Sequence, residues 1–117
     1  MVLAAVDDLL FSSKIRTVAR HVGVEVVFSR SPEAILEHVR SARPALAIFD
    51  LNSPKTDPLG TIAAIKGDEQ MRATRIVGFA SHVQTPLIAS ARAAGADAVM
   101  ARSAFTSQLA EILEQAR

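Results

Sequence analysis

The chain of 117 residues contains no cysteine, no tryptophan and no tyrosine. The lack of cysteine excludes disulfide bonds, thiolate zinc sites and cysteine nucleophiles together. It also agrees with a protein that stays inside the cell, and we expect a cytoplasmic location.

An excess of charge of one sign is also missing. Thirteen Lys and Arg face twelve Asp and Glu, which gives a formal net charge of +1. A chain this close to neutral has no overall field to attract nucleic acid or an anionic membrane, so we expect neither as a partner.

Long hydrophobic runs are absent as well. The first eight residues, MVLAAVDD, lack a basic region and contain two acids, so they do not resemble a signal peptide. The longest uncharged stretch, Ile76 to Ala91, is shorter than the roughly 20 apolar residues that a membrane span needs. We therefore expect a soluble protein.

Short apolar runs alternate with segments of helical periodicity along the whole chain. The runs are Val2 to Val6, Val24 to Phe28, Ala45 to Phe49, Ile76 to Ala80 and Ala98 to Ala101. They are apolar at nearly every position, which is typical of parallel strands buried on both faces. The pattern predicts a (βα)₅ chain forming an open, doubly wound parallel sheet.

Proline and glycine mark the ends of the predicted helices. Ser31-Pro32, Asp57-Pro58 and Thr85-Pro86 each place a capping residue before a proline, while Gly23, Gly67 and Gly95 fall where helices end. No linker, repeat or low-complexity tract interrupts the series, so residues 1–117 are expected to form one domain.

Polar residues follow the predicted strands at their carboxyl ends. Asp7 and Asp8 follow the first strand, Asp50 the third, Ser81 the fourth and Arg102 the fifth. Open α/β sheets bind ligands at this edge, so these side chains are expected to converge.

Three carboxylates at one edge repel each other unless a cation neutralises them. A few oxygen ligands suit Mg²⁺, whereas zinc favours His or Cys, so we expect Mg²⁺ with Asp8 and Asp50 as its main ligands. The alternative is that Asp7 and Asp8 only cap a helix and that Asp50 only ends a strand.

The motifs resemble a known family. Val6-Asp7-Asp8, the segment Asp50-Leu51-Asn52-Ser53-Pro54-Lys55-Thr56-Asp57 and Ala94-Gly95-Ala96-Asp97 look like the receiver domain of bacterial two-component response regulators, in the single-domain chemotaxis form. The resemblance covers the whole chain. Its most specific part is the third-strand motif, in which Pro and Asp follow the acceptor Asp at fixed positions.

The resemblance implies a flavodoxin-like fold with a five-stranded sheet of order 2-1-3-4-5. It implies that Asp50 accepts a phosphoryl group from a histidine kinase or phosphotransfer protein. Mg²⁺ would be held by Asp8, Asp50 and the backbone carbonyl of Asn52, with Asp7 contributing through water. We expect a signalling protein rather than an enzyme, a monomer or weak homodimer that binds an unknown downstream protein target.

Four positions depart from the family pattern. The switch Thr or Ser falls on Ala80, and Ser81 can replace it only if the fourth strand has already ended there. The near-invariant Lys falls on Arg102, which keeps the charge in a broader fork. The following Pro is Ser103, so we predict a trans peptide after Arg102 and a displacement of Arg102 away from Asp50. The switch aromatic is Val99.

These departures keep two hypotheses open. The first is a phosphorylatable receiver, and the second is a degenerate receiver that binds protein partners without phosphorylation. A flavin- or nucleotide-binding protein of the same fold ranks third, because Asp7 and Asp8 would repel the phosphates of such a ligand.

The three histidines, His21, His38 and His82, show no metal-ligand spacing and are expected at the surface.

Overall fold

The computed structural model describes residues 1–81 and 84–117, which form five strands, five α-helices and one short 3₁₀ helix. The strands are β1 (Val2–Ala5), β2 (Val26–Phe28), β3 (Leu46–Asp50), β4 (Arg75–Ala80) and β5 (Ala98–Ala101). The helices are α1 (Leu9–Val22), α2 (Pro32–Ala42), α3 (Pro58–Lys66), α4 (Thr85–Ala94) and α5 (Arg102–Glu114), with the 3₁₀ helix at Pro54–Thr56. None of these helices, within the residues described, has the length and apolar character that crossing a membrane requires.

All five strands pair in parallel, and their order in the sheet is β2-β1-β3-β4-β5. The predicted doubly wound sheet of order 2-1-3-4-5 is therefore confirmed. The order of the strands changes direction beside β1, which places the carboxyl ends of β1 and β3 next to each other. Asp50, the last residue of β3, lies at this edge.

Burial follows the position of each strand in the sheet. β1 and β3 are buried along their whole length, as predicted. β2 is only half-buried, and in β5 only Val99 is buried. The expectation that every strand is buried on both faces is wrong for these two, because an edge strand has a neighbour on one side only.

Helices cover both faces of the sheet and make two apolar cores. α1 and α5 pack on one face, in a core that includes Phe11, Ile15, Phe79, Phe105, Leu109 and Leu113. α2, α3 and α4 cover the other, in a core that includes Ile35, Val39, Ile62, Ile65 and Ile76. In the first core the Phe79 ring lies 5.0 Å from that of Phe11 and 4.7 Å from that of Phe105, which joins β4 to both helices.

Most of the predicted helix ends are correct. Ser31 caps α2 by accepting a hydrogen bond from the amide of Ala34, and Gly23 and Gly95 end α1 and α4 in the left-handed conformation that glycine tolerates. Asp57 precedes α3 but makes no side-chain cap, because its own backbone is left-handed, with a φ of 43°. Thr85 is the first residue of α4 rather than its cap.

An ionic network joins α3, β4 and β5 at the amino edge of the sheet, opposite Asp50. The Lys66 ammonium lies 2.9 Å from the Asp97 carboxylate and donates to the carbonyls of Arg72 and Thr74. Asp97 also accepts a hydrogen bond of 2.8 Å from the amide of Ile76. Desolvation acts to raise the pKa of Asp97, but the Ile76 amide and Lys66 together bring that pKa below its ordinary value.

A carboxyl group whose pKa is lowered on folding contributes stability above its unfolded pKa, and this stability is lost as pH falls through the folded pKa. Asp97→Asn is therefore expected to lower the free energy of unfolding at pH 7 by about 1 kcal/mol, a value reduced for partial exposure. Urea unfolding between pH 3 and pH 7 measures the effect, and the difference from wild type should shrink as pH falls. Glu69→Gln, which removes an exposed carboxylate on the same side of the sheet, is the control, and an equal loss there would contradict this account.

Candidate functional site

Four charged side chains meet at the carboxyl edge of the sheet. Asp7 and Asp8 follow β1, Asp50 ends β3, and Arg102 is the first residue of α5 directly after β5. We call this group of Asp7, Asp8, Asp50 and Arg102 the acidic site. Parallel strands bring it together because all of their carboxyl ends lie at one edge.

Asp50 is the buried member of the acidic site, with 7% of its side chain exposed. Its Oδ1 accepts a hydrogen bond of 2.9 Å from the backbone amide of Asn52. Its Oδ2 lies 3.6 Å from Nη2 of Arg102. One carboxylate oxygen is thus fixed by the turn after β3, while the other faces a cation.

The surroundings of Asp50 oppose its negative charge. Burial is the main cause of a pKa raised above the ordinary value, and the charges of Asp8 and Asp7 act in the same direction. The amide of Asn52 and the guanidinium of Arg102 lower the pKa but do not outweigh burial. Asp50 therefore needs additional positive charge when it is ionised.

Asp8 has two roles at once. Its Oδ1 caps α1 by accepting a hydrogen bond of 3.1 Å from the amide of Phe11. Its Oδ2 lies 3.8 Å from Nη1 of Arg102. The capping interpretation of this residue is therefore correct, but it does not exclude a place in the acidic site.

Asp7 has different basic partners, which sequence reasoning did not identify. Its two carboxylate oxygens lie 3.9 Å from Nε of Arg30 and 3.7 Å from Nζ of Lys55. Lys55 falls within the third-strand motif, but its spacing from Asp7 in the sequence gives no sign of the pairing. All three carboxylates of the acidic site thus have a basic side chain within 4 Å.

Arg102 lies between two carboxylates and two aromatic rings. Its guanidinium carbon is 4.8 Å from the centre of the Phe11 ring and 5.5 Å from that of Phe79. Its Nε is buried and has no hydrogen-bond partner among the residues that the structure describes. Both rings belong to the apolar core between the sheet and helices α1 and α5, and they also form the floor on which the guanidinium rests.

The peptide between Arg102 and Ser103 is trans, as predicted, and no cis peptide occurs among the residues described. The expected consequence is wrong, because Arg102 is not displaced from Asp50. An arginine side chain is long enough to reach the carboxylate from the first position of α5 without a special backbone turn.

Asn52 connects the loops that follow β3 and β4. Its Oδ1 accepts a hydrogen bond of 2.7 Å from the amide of Ser81, and its Nδ2 donates to Oε1 of Gln84 at 2.9 Å. Only its backbone carbonyl was predicted to have a role.

Ser81 lies just beyond the end of β4. The strand has therefore ended before Ser81, as its use in place of the switch hydroxyl requires. His82, which follows it, lies outside the residues described.

The two departures in the switch positions are both buried. Ala80 is fully enclosed at the end of β4, and Val99 packs in the core beneath α4.

Two of the three histidines lie within the described residues, and of these His21 is exposed, as predicted. His38 is half-buried, and its Nδ1 lies 2.7 Å from Oγ of Ser29, so its predicted surface position is only partly correct.

The donor atoms of the acidic site fit a hard divalent cation. Carboxylate and carbonyl oxygens are the ligands that Mg²⁺ takes, and Asp8 and Asp50 already share one guanidinium between them. Within residues 1–81 and 84–117, no three His, Asp or Glu side chains form a metal-binding cluster. A metal held by the side chains of Asp8 and Asp50 would therefore take much of its remaining coordination from water.

Several solved structures that match this chain over nearly its whole length are receiver domains or response regulators. A chemotaxis response regulator of Vibrio cholerae matches with a TM-score of 0.83 at 20% identity, over 99% of this chain and 97% of its own. A phosphorylated cyanobacterial phytochrome response regulator matches with a TM-score of 0.81 at 24% identity, over 97% of this chain and 88% of its own.

A third response regulator, solved in its Mn²⁺-bound form, matches with a TM-score of 0.79 at 18% identity, over 97% of this chain and 88% of its own. No family model matches the sequence, and no curated protein matches it. At these identities the likeness shows the fold, and it confirms the flavodoxin-like receiver architecture that the motifs suggested.

A carboxyl group with a raised pKa binds its proton more tightly in the folded state, so its ionisation lowers the free energy of unfolding as pH rises through the carboxylate range. Asp50→Asn removes this loss, and we expect the variant to be more stable than wild type at pH 7 in metal-free buffer. Urea unfolding at several pH values should show the two proteins converging below the ordinary pKa of Asp. Glu114→Gln, an exposed carboxylate on α5, should change stability by no more than about 0.5 kcal/mol. A variant of Asp50 that is less stable than wild type at pH 7 would contradict the raised pKa.

Proposed function

We propose that the protein is a two-component receiver in which Asp50 accepts a phosphoryl group from a histidine kinase or phosphotransfer protein. The observation that carries this proposal is the geometry of the Asp50 carboxylate. One oxygen is held by the amide of Asn52, and the other faces the guanidinium of Arg102 across 3.6 Å. A nucleophile fixed in this way, with a cation in front of it, suits attack on phosphorus.

In the proposed reaction Oδ2 of Asp50 attacks the phosphorus of the donor and forms an acyl phosphate. The bond from phosphorus to the donor nitrogen or oxygen breaks, and the donor leaves with that electron pair. Negative charge develops on the three equatorial phosphoryl oxygens, and catalysis consists largely of neutralising it. Asp50 is the nucleophile, so the neutralising groups must come from the rest of the site.

Arg102 is the residue of this chain that is placed to neutralise the phosphoryl oxygens. Its fork carries several N–H donors and binds phosphoryl oxygens in pairs. When bound, Mg²⁺ would add Lewis-acid stabilisation of the same oxygens, held by Asp8, Asp50 and the backbone carbonyl of Asn52, with Asp7 acting through water. Ser81, beside the carboxyl end of β4, is the proposed hydroxyl contact.

The proposed output is a change in binding to a downstream protein target. The face formed by α4, β5 and α5 would change its shape when Asp50 is phosphorylated, because ligands shift a pre-existing equilibrium between two states. The molecule would then work as a signalling module and not as an enzyme that turns over a metabolite.

A second candidate function is a receiver that binds its partners without phosphorylation. Ala80 favours it, because this fully buried residue offers a methyl group where the resemblance leads us to expect a hydroxyl. Val99 also favours it, because the resemblance leads us to expect an aromatic ring at this position and valine has none. The intact acidic site favours the first candidate.

Incubation with acetyl phosphate and Mg²⁺ distinguishes the two candidates. We expect intact-mass spectrometry to show one phosphoryl group on the wild-type protein and none on Asp50→Asn, because the nucleophile is missing. Asp97→Asn, which removes a carboxylate from the opposite edge of the sheet, should be modified like wild type. Failure of the wild-type protein to be modified would favour the second candidate, and modification of Asp50→Asn would place the acceptor elsewhere.

The conformational response to phosphorylation is expected to be small. Beryllofluoride, an analogue of the phosphoryl group, should shift the amide resonances of the loops around Asp50, Ser81 and Arg102 and leave α4 and α5 largely unchanged. A ligand shifts an equilibrium only through contacts that differ between the two states, and Ala80 and Val99 remove two such contacts.

Ala80→Ser restores a hydroxyl at the smallest steric cost and should extend the beryllofluoride response into α4. Ala101→Ser, which adds the same hydroxyl to the paired position on β5, is the matched control and should not extend it. Large changes across α4 and α5 of the wild-type protein would show that the response does not depend on these contacts.

A further inference from the structure

We propose that a cavity beside the loop joining β3 to α3 binds a small, largely apolar molecule that carries a protonated amine. The cavity has a volume of about 430 Å³ and lies between this loop, the first turn of α3 and the first turn of α4. Cavities of about 300–1,000 Å³ are the usual size of small-molecule sites. Binding here does not require phosphorylation of Asp50, so the site adds to the proposed function without depending on it.

The walls of this cavity, which we call the loop cavity, are mainly apolar. The apolar lining residues are Leu51, Pro54, Pro58, Leu59 and Leu87. Leu59 and Leu87 are only half-buried, so the apolar body of a ligand would remove more of their surface from water, which favours binding. Because the two prolines fix the backbone of the loop, little conformational entropy is lost when a ligand enters.

Ser53 contributes a hydroxyl that has no partner. The residue lines the loop cavity and is 5% exposed. Its amide donates to the carbonyl of Asp50 at 3.2 Å, and its carbonyl accepts from the hydroxyl of Thr56 at 3.3 Å. Its own Oγ is buried and has no hydrogen-bond partner among the described residues. An unpaired buried hydroxyl is unfavourable, and rotation about the Cα–Cβ bond toward the cavity would let it bond to a polar group of a ligand.

Asp57 gives the loop cavity its charge. Among the described residues that line the cavity, it alone is charged. It is exposed, and its left-handed backbone leaves the carboxylate without a capping bond to α3. None of the ion pairs within residues 1–81 and 84–117 includes Asp57. A carboxylate without a cation of its own favours an amine over a neutral or anionic group.

The loop cavity is separate from the acidic site. No member of the acidic site lines it, and the two are connected through the turn after β3. Asn52 lines the cavity, and its side chain is hydrogen-bonded to the amide of Ser81 and to Gln84. A ligand in the cavity would therefore contact the residue that joins the loops after β3 and β4. Its effect should reach Ser81 through these hydrogen bonds.

Titration with phenethylamine at pH 7, followed through the amide resonances of the isotope-labelled protein, tests the proposal. We expect saturable shifts at Ser53, Leu59 and Leu87, which surround the cavity, and at the linked Ser81. Phenethyl alcohol has the same body without the charge and should bind about threefold more weakly, and the anion hydrocinnamate should bind more weakly still. Absence of saturable binding by the amine, or tighter binding by the anion, would overturn the proposal.

Asp57→Asn removes the charge and keeps a residue that tolerates the left-handed backbone. It should bind phenethylamine about threefold more weakly than wild type and phenethyl alcohol equally well. Glu33→Gln removes an exposed carboxylate of α2 outside the cavity and is the matched control, which should bind both compounds as wild type does. Equal affinity of wild type and Asp57→Asn for the amine would show that the preference for an amine is wrong.

Ser53→Ala removes the unpaired hydroxyl. It should bind both compounds about fivefold more weakly, because a hydrogen bond to the ligand is lost. The unliganded variant should be no less stable to heat than wild type, since the hydroxyl has no partner to lose. A loss of stability without a change in affinity would mean that the hydroxyl serves the fold and not a ligand.

Leu87→Trp places a large ring in the loop cavity and should abolish binding of both compounds. Leu10→Trp makes the same change at an exposed position of α1 and should bind as wild type does. Amide spectra show whether each variant is folded, and Ser53→Ala and Asp57→Asn decide the question if Leu87→Trp is not. Undiminished binding by folded Leu87→Trp would place the ligand elsewhere and overturn the proposal.

Asp50→Asn distinguishes the loop cavity from the acidic site, whose carboxylates could also attract an amine. We expect this variant to bind phenethylamine as wild type does, because Asp50 does not line the cavity. Weaker binding by Asp50→Asn but not by Asp57→Asn would place the amine in the acidic site, and the proposal would be wrong. The titration contains no phosphoryl donor, so its result stands whether or not acetyl phosphate modifies Asp50.

Discussion

Repulsion among three carboxylates is the constraint on which the carboxyl edge of this sheet depends. Asp7, Asp8 and Asp50 are brought together by parallel strands, and burial makes the charge on Asp50 harder to tolerate. Each carboxylate has at least one basic side chain within 4 Å, but none of these contacts is short enough to be a hydrogen bond. Within residues 1–81 and 84–117, no basic side chain hydrogen-bonds to Asp50, and the guanidinium of Arg102 lies 3.6 Å away. The carboxylates of this edge are therefore paired with cations, yet burial still opposes the charge on Asp50.

The two edges of the sheet show opposite solutions to the same problem. At the amino edge, Lys66 and Asp97 form a short ion pair that is completed by backbone groups, and the pKa of Asp97 falls. At the carboxyl edge, longer contacts leave the pKa of Asp50 raised. Short ion pairs whose remaining groups are hydrogen-bonded stabilise a fold. Ion pairs beyond hydrogen-bond distance leave the carboxylate able to gain further interactions with a ligand. The amino edge thus contributes stability, and the carboxyl edge is where we propose that the chemistry takes place.

The sequence predicts the fold well because every level of the pattern agrees. Five apolar runs, the capped α2 and the glycines that end α1 and α4 all point to a (βα)₅ chain with a parallel sheet, while the strand order came from the family resemblance. A parallel sheet in turn places the carboxyl ends of the strands at one edge. The errors fall where local sequence carries no signal. The partial exposure of β2 and β5 depends on their place in the sheet, and the pairing of Asp7 with Arg30 and Lys55 depends on side-chain rotamers. The reach of Arg102 was underestimated because the prediction considered its backbone and not the length of its side chain.

The start of α5 ties this helix to the chemistry of the site. Ala101, which precedes it, has no side chain able to cap the free amides, and the first side chain of the helix is Arg102 itself. The first turn is thus attached to the sheet through the buried ring of Phe105, which stacks on Phe79, and through the charges that Arg102 meets on Asp8 and Asp50. Local opening of a helix end costs far less than global unfolding. A change of charge on Asp50 would therefore first loosen or tighten the first turn of α5, and the sheet would keep its structure.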